Sequence, residues 1–374
     1  MSVAINGTNG VTYNDGSVQA SAPVGKNRII NGDMRIDQRY SGSAATVSSG
    51  YTVDRWKFQE GGSGGQVVSV QQVTDAPVGF SNSFKLTNTT ASSSVTADAY
   101  NMFWQAVEGL NWSDLEWGTS DAKSVTVSFW VKASIAGNYS FVIRSSTNDR
   151  SYVTPYAISS ADTWEYKTIT FEGDTSGAFG DDNAASLNIN FFLHGGSTFT
   201  SGTLNTAAWA SNTNANRAAG IDSFFSSTDN NFFITGVQME IGSQATNFEH
   251  RSFGEELALC QRYYYRIQGN GSATTSLGIG FASTTTTAYS YLKFPVNMRA
   301  APSLDGSSGL TASDLNSYTV AYASVAVNAT ESSSHGSSGT YIIVTVSSGL
   351  TALRVNANQL TANAGSFLAL SAEL

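Results

Sequence analysis

The feature that most constrains the fold is a strict two-residue alternation of apolar and polar side chains. In residues 123–133 the apolar positions are Val125, Val127, Phe129, Val131 and Ala133. The positions between them are Thr126, Ser128, Trp130 and Lys132. Residues 187–194 repeat the pattern, and glycine and asparagine lie between such segments. Alternation of this kind indicates half-buried antiparallel strands, so the chain is predicted to be all-β and to form sandwiches or barrels.

The length and the charge of the chain limit the number of domains and the kinds of partner that we expect. A chain of 374 residues is too long for one typical core, so two or more domains are expected. Charged residues make up 13% of the chain, about half the usual share. The net charge of -9 argues against nucleic acid and anionic membranes as partners. No apolar run of membrane-spanning length occurs, so no membrane insertion is expected.

The number of cysteines and the N-terminal sequence bear on metal binding and on where the protein is made. Cys260 is the single cysteine, so an intrachain disulfide is excluded, and no Cys/His spacing predicts a zinc site. We therefore expect no cofactor. The N-terminus lacks a charged region followed by an apolar core, which predicts synthesis in the cytoplasm without a cleaved signal.

Two distant segments carry a family resemblance. The first is Asn27-Arg-Ile-Ile-Asn-Gly-Asp-Met34. The second is Gly236-Val-Gln-Met-Glu-Ile-Gly-Ser243, followed by Ala245-Thr-Asn-Phe-Glu-His-Arg251. Together they resemble the borders of a module found in bacteriophage tail fibres, and Tyr51–Trp56 and Val127–Ala133 resemble its interior. The resemblance implies a jelly-roll β-sandwich similar to carbohydrate-binding modules.

The segment order and the resemblance together predict four parts. They are a β arm for attachment (1–26), the jelly-roll carbohydrate-binding-like domain (27–252), a connecting helix (253–270) and a smaller C-terminal β-sandwich domain (271–374). Since the arm resembles an attachment segment, the C-terminal domain is expected to form the distal tip of a fibre.

The predicted helix carries an apolar stripe. Glu255 and Glu256 favour its N-terminal turn by opposing the helix dipole. The stripe consists of Leu257, Cys260, Tyr264 and Ile267, at the a and d spacing of a coiled coil. Two interpretations stay open. The stripe docks on its own domain, or it packs about a three-fold axis between subunits, as a fibre trimer implies.

Aromatic residues carry the binding hypothesis, because a sugar presents apolar C–H faces and a rim of hydroxyls. In the first large domain the candidates are Trp112, Asp114 and Trp117. Trp130 lies on the polar face of its predicted strand, and Trp209 is followed by an Asn-rich loop sequence. In the C-terminal domain the candidates are Tyr289, Tyr291, Tyr318, Tyr322 and Tyr341. The alternative is that the tryptophans cover core edges or subunit interfaces.

Signals for catalysis and metal binding are weak. Gly61–Gly65 fits the nucleophile-elbow pattern, but a strand pattern rather than a helix follows it. His194, His250 and His335 show no metal or triad spacing. We predict no catalytic residues. A structural calcium on Asn31, Asp33 and Glu240 is the alternative for metals, although no ordered ligand motif supports it.

The resemblance therefore implies a non-enzymatic, homotrimeric tail fibre in the tail of a virion. Its expected partners are another phage tail protein through the arm, and a polysaccharide or lipopolysaccharide of the host surface. A purely structural fibre or collar component is the first alternative. A polysaccharide depolymerase, which needs a pair of carboxylates, is the second.

Overall fold

The computed structural model divides the chain into two compact units, residues 1–252 with Leu374 and residues 253–373. The residues that the structure describes are 4–6, 10–12, 18–19, 25–62, 67–90, 96–147, 149–203, 208–314, 320–327, 337–346 and 348–374. Ser63, Tyr318 and His335 lie outside them, as does the side chain of Tyr322. No helix in the described part of the chain is long and apolar enough to cross a membrane.

The first unit begins with the arm, a small antiparallel sheet of three strands in chain order. These are β1 (Ala4–Asn6), β2 (Gly10–Thr12) and β3 (Val18–Gln19).

The rest of the first unit is a sandwich of two antiparallel sheets. Its strands are β4 (Ala45–Val47), β5 (Gly50–Tyr51), β6 (Lys57–Gly61), β7 (Val68–Val73), β8 (Ser83–Asn88), β9 (Tyr100–Glu108), β10 (Val125–Ala133), β11 (Gly137–Ser145), β12 (Arg150–Ile158), β13 (Glu165–Phe171), β14 (Ala185–Gly195), β15 (Ala210–Ser211) and β16 (Asn231–Ile241). One sheet has the order β13-β10-β16-β8-β7-β4, and the other has the order β15-β12-β11-β14-β9-β6-β5. A short helix, α1 (Ser197–Thr200), follows β14.

The core lies between these sheets and follows the alternation in the sequence. The apolar positions of β10 and β14 are all buried. Phe129 of β10 meets Phe191 of β14 across the layers, with ring centroids 5.0 Å apart. Trp56 stacks on Phe103 at 4.7 Å. The predicted all-β jelly-roll sandwich is confirmed.

The two border segments meet in what we call the closing seam, formed by residues 27–32, 237–239, Glu249 and Arg251. Asn27 lies at its centre. Its Nδ2 donates to Val237 O at 3.1 Å, and its Oδ1 accepts from Ile29 N at 2.9 Å and Met239 N at 3.0 Å. The Glu249 carboxylate accepts from Asn27 N at 2.8 Å. The motif residues therefore tie the start of the sandwich to its end.

Gly32 shows why the seam needs a glycine. Val237 N donates to Gly32 O at 2.9 Å. A Cβ built on Gly32 would lie 2.1 Å from Val237 O, which is a steric overlap. The close backbone approach thus requires the glycine at this position.

The second unit combines a helix, a closed barrel and a small sheet. Its elements are α2 (Phe253–Gln261), β17 (Tyr264–Gln268), β18 (Thr275–Ala282), β19 (Thr287–Lys293), β20 (Ser303–Ser308), β21 (Leu310–Asp314), β22 (Val320–Val327), β23 (Gly339–Val346), β24 (Val355–Leu360) and β25 (Phe367–Ser371). The barrel has the order β18-β19-β23-β22-β21-β24, and the sheet has the order β17-β25-β20. We expected a sandwich here. Instead β24 pairs with both β18 and β21, which closes the ring of strands.

The helix is shorter than the sequence suggested. It ends at Gln261, and Tyr264 and Ile267 lie on β17, which pairs with β25. Aromatic and β-branched residues favour strands, and pairing with a distant strand ends the helix. Cys260 and Tyr264 are buried, while Leu257 and Ile267 are half-buried. The four residues therefore do not form one exposed helical stripe.

Candidate functional site

Trp112 and Trp117 lie inside the first unit rather than on its surface. Their side chains are buried and meet edge to face at 4.4 Å. The Trp117 indole donates to Lys123 O at 2.7 Å. Asp114 is exposed and pairs with Arg28 at 2.6 Å. This burial favours the alternative that both tryptophans cover an edge of the core.

Three of the candidate tyrosines, Tyr289, Tyr291 and Tyr341, lie together on the outside of the barrel. Tyr291 of β19 and Tyr341 of β23 are paired neighbours with rings 5.5 Å apart. Tyr289 stacks on Phe281 of β18 at 5.6 Å. The exposed apolar side chains of this surface, which we call the barrel face, are Ile279, Phe281, Tyr291, Tyr341, Leu353 and Val355. It is rich in aliphatic groups as well as tyrosine.

A different set of aromatic residues lines a groove on the outer side of the six-stranded sheet. We call it the aromatic groove, and its volume is about 430 Å³, within the range of ligand pockets. Its lining residues are Val78, Gly79, Phe80, Ser128, Trp130, Tyr166, Gly236, Ala245, Thr246, Asn247, Phe248 and His250.

The floor of the aromatic groove is a cross-strand pair. Trp130 of β10 is directly opposite Tyr166 of β13, and their rings are 5.3 Å apart. Both occupy outward positions of their strands, because the alternate residues of β10 fill the core. Tyr166 is 44% exposed, so the floor is open to a ligand.

The wall of the aromatic groove comes from the second border segment. Phe80 packs against Phe248 at 5.1 Å and against His250 at 5.3 Å. Glu249 and Arg251 alternate with Phe248 and His250 along the chain. They form hydrogen bonds with Asn27 and Ile29 in the closing seam. One short segment therefore braces the fold with one side and lines the groove with the other.

Gly236 brings the wall and the floor together. An extra residue on β16 breaks the register with β10 between Ser128 and Trp130, and Gly236 has a positive φ of 63°. This is the geometry of a β-bulge that starts with glycine. A Cβ on Gly236 would lie 2.7 Å from the ring of Phe80. The glycine therefore leaves space for the aromatic ring.

The polar groups of the aromatic groove are available to a ligand. Among the described residues, the side chains of Trp130, Tyr166, Asn247 and His250 form no hydrogen bond. None of the lining residues is Asp, Glu, Lys or Arg. The groove combines aromatic surfaces with hydrogen-bond donors and acceptors.

Only part of this site could be predicted from the sequence. The alternation placed Trp130 on an outward face, whereas Phe80 and Tyr166 carried no signal of their own. Phe248 and His250 belonged to the family motif, and their alternation with Glu249 and Arg251 could have indicated an outward face.

Two of the candidate calcium ligands, Glu240 and Asp33, have partners within the protein. The Glu240 carboxylate accepts from Gln238 Nε2 and Thr246 N, both at 2.8 Å. Asp33 pairs with Arg35 at 2.8 Å. Within the described residues, no group of three or more His, Cys, Asp or Glu side chains is arranged to hold a metal ion.

Comparison with known proteins gives remote structural matches. No protein-family model and no curated protein matches the chain. The enzymatically active domain of tailspike protein 4 from bacteriophage CBA120 has 17% identity and a TM-score of 0.32, and the match covers 58% of this chain and 21% of that one. The chain thus spans about a fifth of that tailspike domain.

Two carbohydrate-binding structures also match. A family 11 carbohydrate-binding module from Clostridium thermocellum, in complex with a mixed-linked tetrasaccharide, has 15% identity and a TM-score of 0.28, with 54% of this chain and 98% of that chain covered. The xylanase 10B modules from the same organism, complexed with xylohexaose, have 10% identity and a TM-score of 0.28, with 58% and 30% covered.

Proposed function

We propose that this chain is a non-enzymatic glycan-binding protein of a bacteriophage tail fibre, and that the aromatic groove holds the glycan. The observation that carries the proposal is the composition of the groove, whose aromatic floor and wall bear polar groups that form no hydrogen bond among the described residues. The tail-fibre role is supported by the resemblance of the two border segments. A host polysaccharide or lipopolysaccharide is the ligand class that combines these two arguments.

The chemistry of a sugar matches the groove. The C–H face of a pyranose ring packs on an aromatic face, and its hydroxyls need donors and acceptors at the rim. Trp130 and Tyr166 supply the surface. Asn247 and His250 supply both donor and acceptor atoms. An uncharged stretch of glycan fits best, because no Asp, Glu, Lys or Arg side chain lines the groove.

Binding is favoured over hydrolysis by the same lining. Glycosidases ordinarily place two carboxyl groups on either side of the scissile bond, and no carboxylate lines the groove. A depolymerase would release new reducing ends from the polysaccharide, whereas a binding protein would leave its chain length unchanged. A purely structural fibre would retain no glycan at all.

Replacing Trp130 by alanine is expected to weaken glycan binding at least about tenfold, or 1.4 kcal/mol, because the floor loses its largest aromatic surface. The measurement is retention on an array of bacterial lipopolysaccharides and capsular polysaccharides. Tyr166→Ala, at an exposed position, should act in the same direction without disturbing the core.

Tyr291→Ala is the comparison for the second candidate surface. It removes an exposed ring from the barrel face, where we predicted ligand contacts at Tyr289, Tyr291 and Tyr341. Unchanged binding in Trp130→Ala, together with lost binding in a Tyr291→Ala variant that keeps the oligomeric state of the wild type, would move the site to the C-terminal unit. That outcome would contradict the groove and agree with the distal-tip hypothesis.

The homotrimer remains part of the proposal, and the barrel face is the surface we assign to it. Six large apolar side chains are exposed there, which is unusual for a monomer surface. Phe281→Asp should convert a trimer to monomers in light scattering, because each interface would bury an unpaired charge. A wild-type chain that is monomeric at micromolar concentration would contradict the assignment.

A further inference from the structure

A second cavity lies at another edge of the first unit. Its volume is about 310 Å³, at the lower end of the range for ligand pockets. The residues that matter for its chemistry are Arg150, Tyr152, Glu172, Thr175, Ser176 and Trp209. We call it the edge pocket. It shares no lining residue with the aromatic groove.

The aromatic wall of the edge pocket is fixed in place. The Trp209 indole donates to Glu172 O at 2.8 Å. Its ring meets Trp117 edge to face at 5.0 Å and Tyr152 at 5.9 Å. Trp117, which the sequence suggested as a ligand contact, therefore serves as the buried support of Trp209. A half-buried ring held from two sides is a preorganised stacking surface.

The polar wall is equally preorganised. Arg150 Nε and Nη2 donate to the two carboxylate oxygens of Asp174, each at 2.7 Å. The Asp174 side chain is 1% exposed, and Ser176 N donates to its Oδ1 at 3.0 Å. Arg150 Nη1 has no partner among the described residues. The guanidinium is thus held with one nitrogen left to donate.

The charges of the edge pocket select its ligand. Asp174 balances the charge of Arg150, so the Glu172 carboxylate remains the uncompensated group. Glu172 forms no ion pair within the described residues. An anionic ligand would be repelled by it. Arginine donates only, a carboxylate accepts only, and hydroxyls do both, a set that matches the adjacent hydroxyls of a sugar.

We propose that the edge pocket is a second binding site, separate from the aromatic groove, that takes one uncharged sugar ring. Its volume suits a single ring rather than a chain. The ring would stack on Trp209, accept from Arg150 Nη1 and donate to Glu172. The ligand class rests on the proposed glycan recognition, whereas the site itself does not depend on the groove.

The test uses ¹⁹F NMR of the full chain with its seven tryptophans replaced by 5-fluorotryptophan. Trp209→Phe and Trp130→Phe assign the two relevant signals. The probes are methyl glucoside, methyl galactoside and methyl mannoside, with methyl glucuronide as the anionic comparison. We expect at least one neutral hexoside to shift the Trp209 signal at millimolar concentration, and the glucuronide to bind more weakly.

Glu172→Gln should weaken binding of the neutral hexoside roughly tenfold, since a charged hydrogen bond is lost. It should also narrow the difference between the hexoside and the glucuronide. Asp229→Asn, an exposed carboxylate that lines neither site, is the matched control and should change neither affinity.

The outcomes separate the two proposals. A Trp209 signal that no hexoside moves would overturn the edge pocket, even where an oligosaccharide moves Trp130 and the proposed function stands. Preference for the glucuronide would overturn the charge argument. A Trp209 response in Trp130→Ala would support the edge pocket independently of the groove.

Discussion

Replacing Asn27 by alanine is expected to lower the free energy of unfolding of the first unit by at least about 3 kcal/mol. Asn27 is 4% exposed and forms three side-chain hydrogen bonds in the closing seam. The substitution leaves two backbone N–H groups and one carbonyl without that partner. Each buried group that loses its partner costs roughly 1 to 3 kcal/mol.

Denaturant unfolding of the full chain, followed by tryptophan fluorescence, measures this loss, because all seven tryptophans lie in the first unit. Asn247→Ala is the matched control, because its side chain is exposed and forms no hydrogen bond in the described structure. It should change stability by less than about 0.5 kcal/mol. A loss below about 1 kcal/mol in Asn27→Ala would mean that the border motif does not hold the sandwich closed.

The strands could be predicted because their signal is local. In β10 and β14, alternate residues point to opposite faces of the sheet, so the alternation alone predicts which side chains are buried. This prediction does not require knowing which strands are neighbours. Trp130 was placed outward on the same basis. The residues that complete its site, Phe80, Tyr166 and Phe248, come from three separate segments. Their meeting depends on the strand order of the sheet, which no local pattern contains.

Loop sequences show no regular alternation of apolar and polar residues. The burial of Trp112 and Trp117 therefore could not be predicted from their sequence. Their segment is polar and resembles a binding loop. In the structure, short 3₁₀ turns at Gly109–Asn111 and Ser113–Leu115 lead the chain back into the core. Both indoles are then buried, while Asp114 remains outside.

The apolar stripe of the helix shows the limit of periodicity itself. Leu257, Cys260, Tyr264 and Ile267 have coiled-coil spacing, yet the last two lie on a strand. Tyr264 pairs with Ser371 and Ile267 with Leu368. A partner about a hundred residues away decides the secondary structure here, as tertiary context commonly overrides local propensity.

Lowering the pH is expected to destabilise the first unit through His194, whose imidazole is 1% exposed. Burial lowers the pKa of His194 to about 4, against about 6.5 in an unfolded chain. Its Nδ1 is bonded to Ser223 Oγ at 2.9 Å, and its Nε2 is buried without a hydrogen-bond partner among the described residues. A proton on Nε2 would therefore place an unpaired charge in the core.

The direction of the effect follows from proton binding. Between pH 6.5 and pH 4 the unfolded chain binds the proton and the folded chain does not, so stability falls as the pH falls. The contribution is intact above about pH 6.5, and its full loss below pH 4 amounts to roughly 3 kcal/mol.

His194→Asn keeps a polar group near Ser223 but cannot be protonated, so its unfolding free energy should decline less across this window. Subtracting the two pH profiles removes the carboxylate titrations that they share. Parallel profiles for wild type and His194→Asn would show that the buried imidazole is not the group that senses acid.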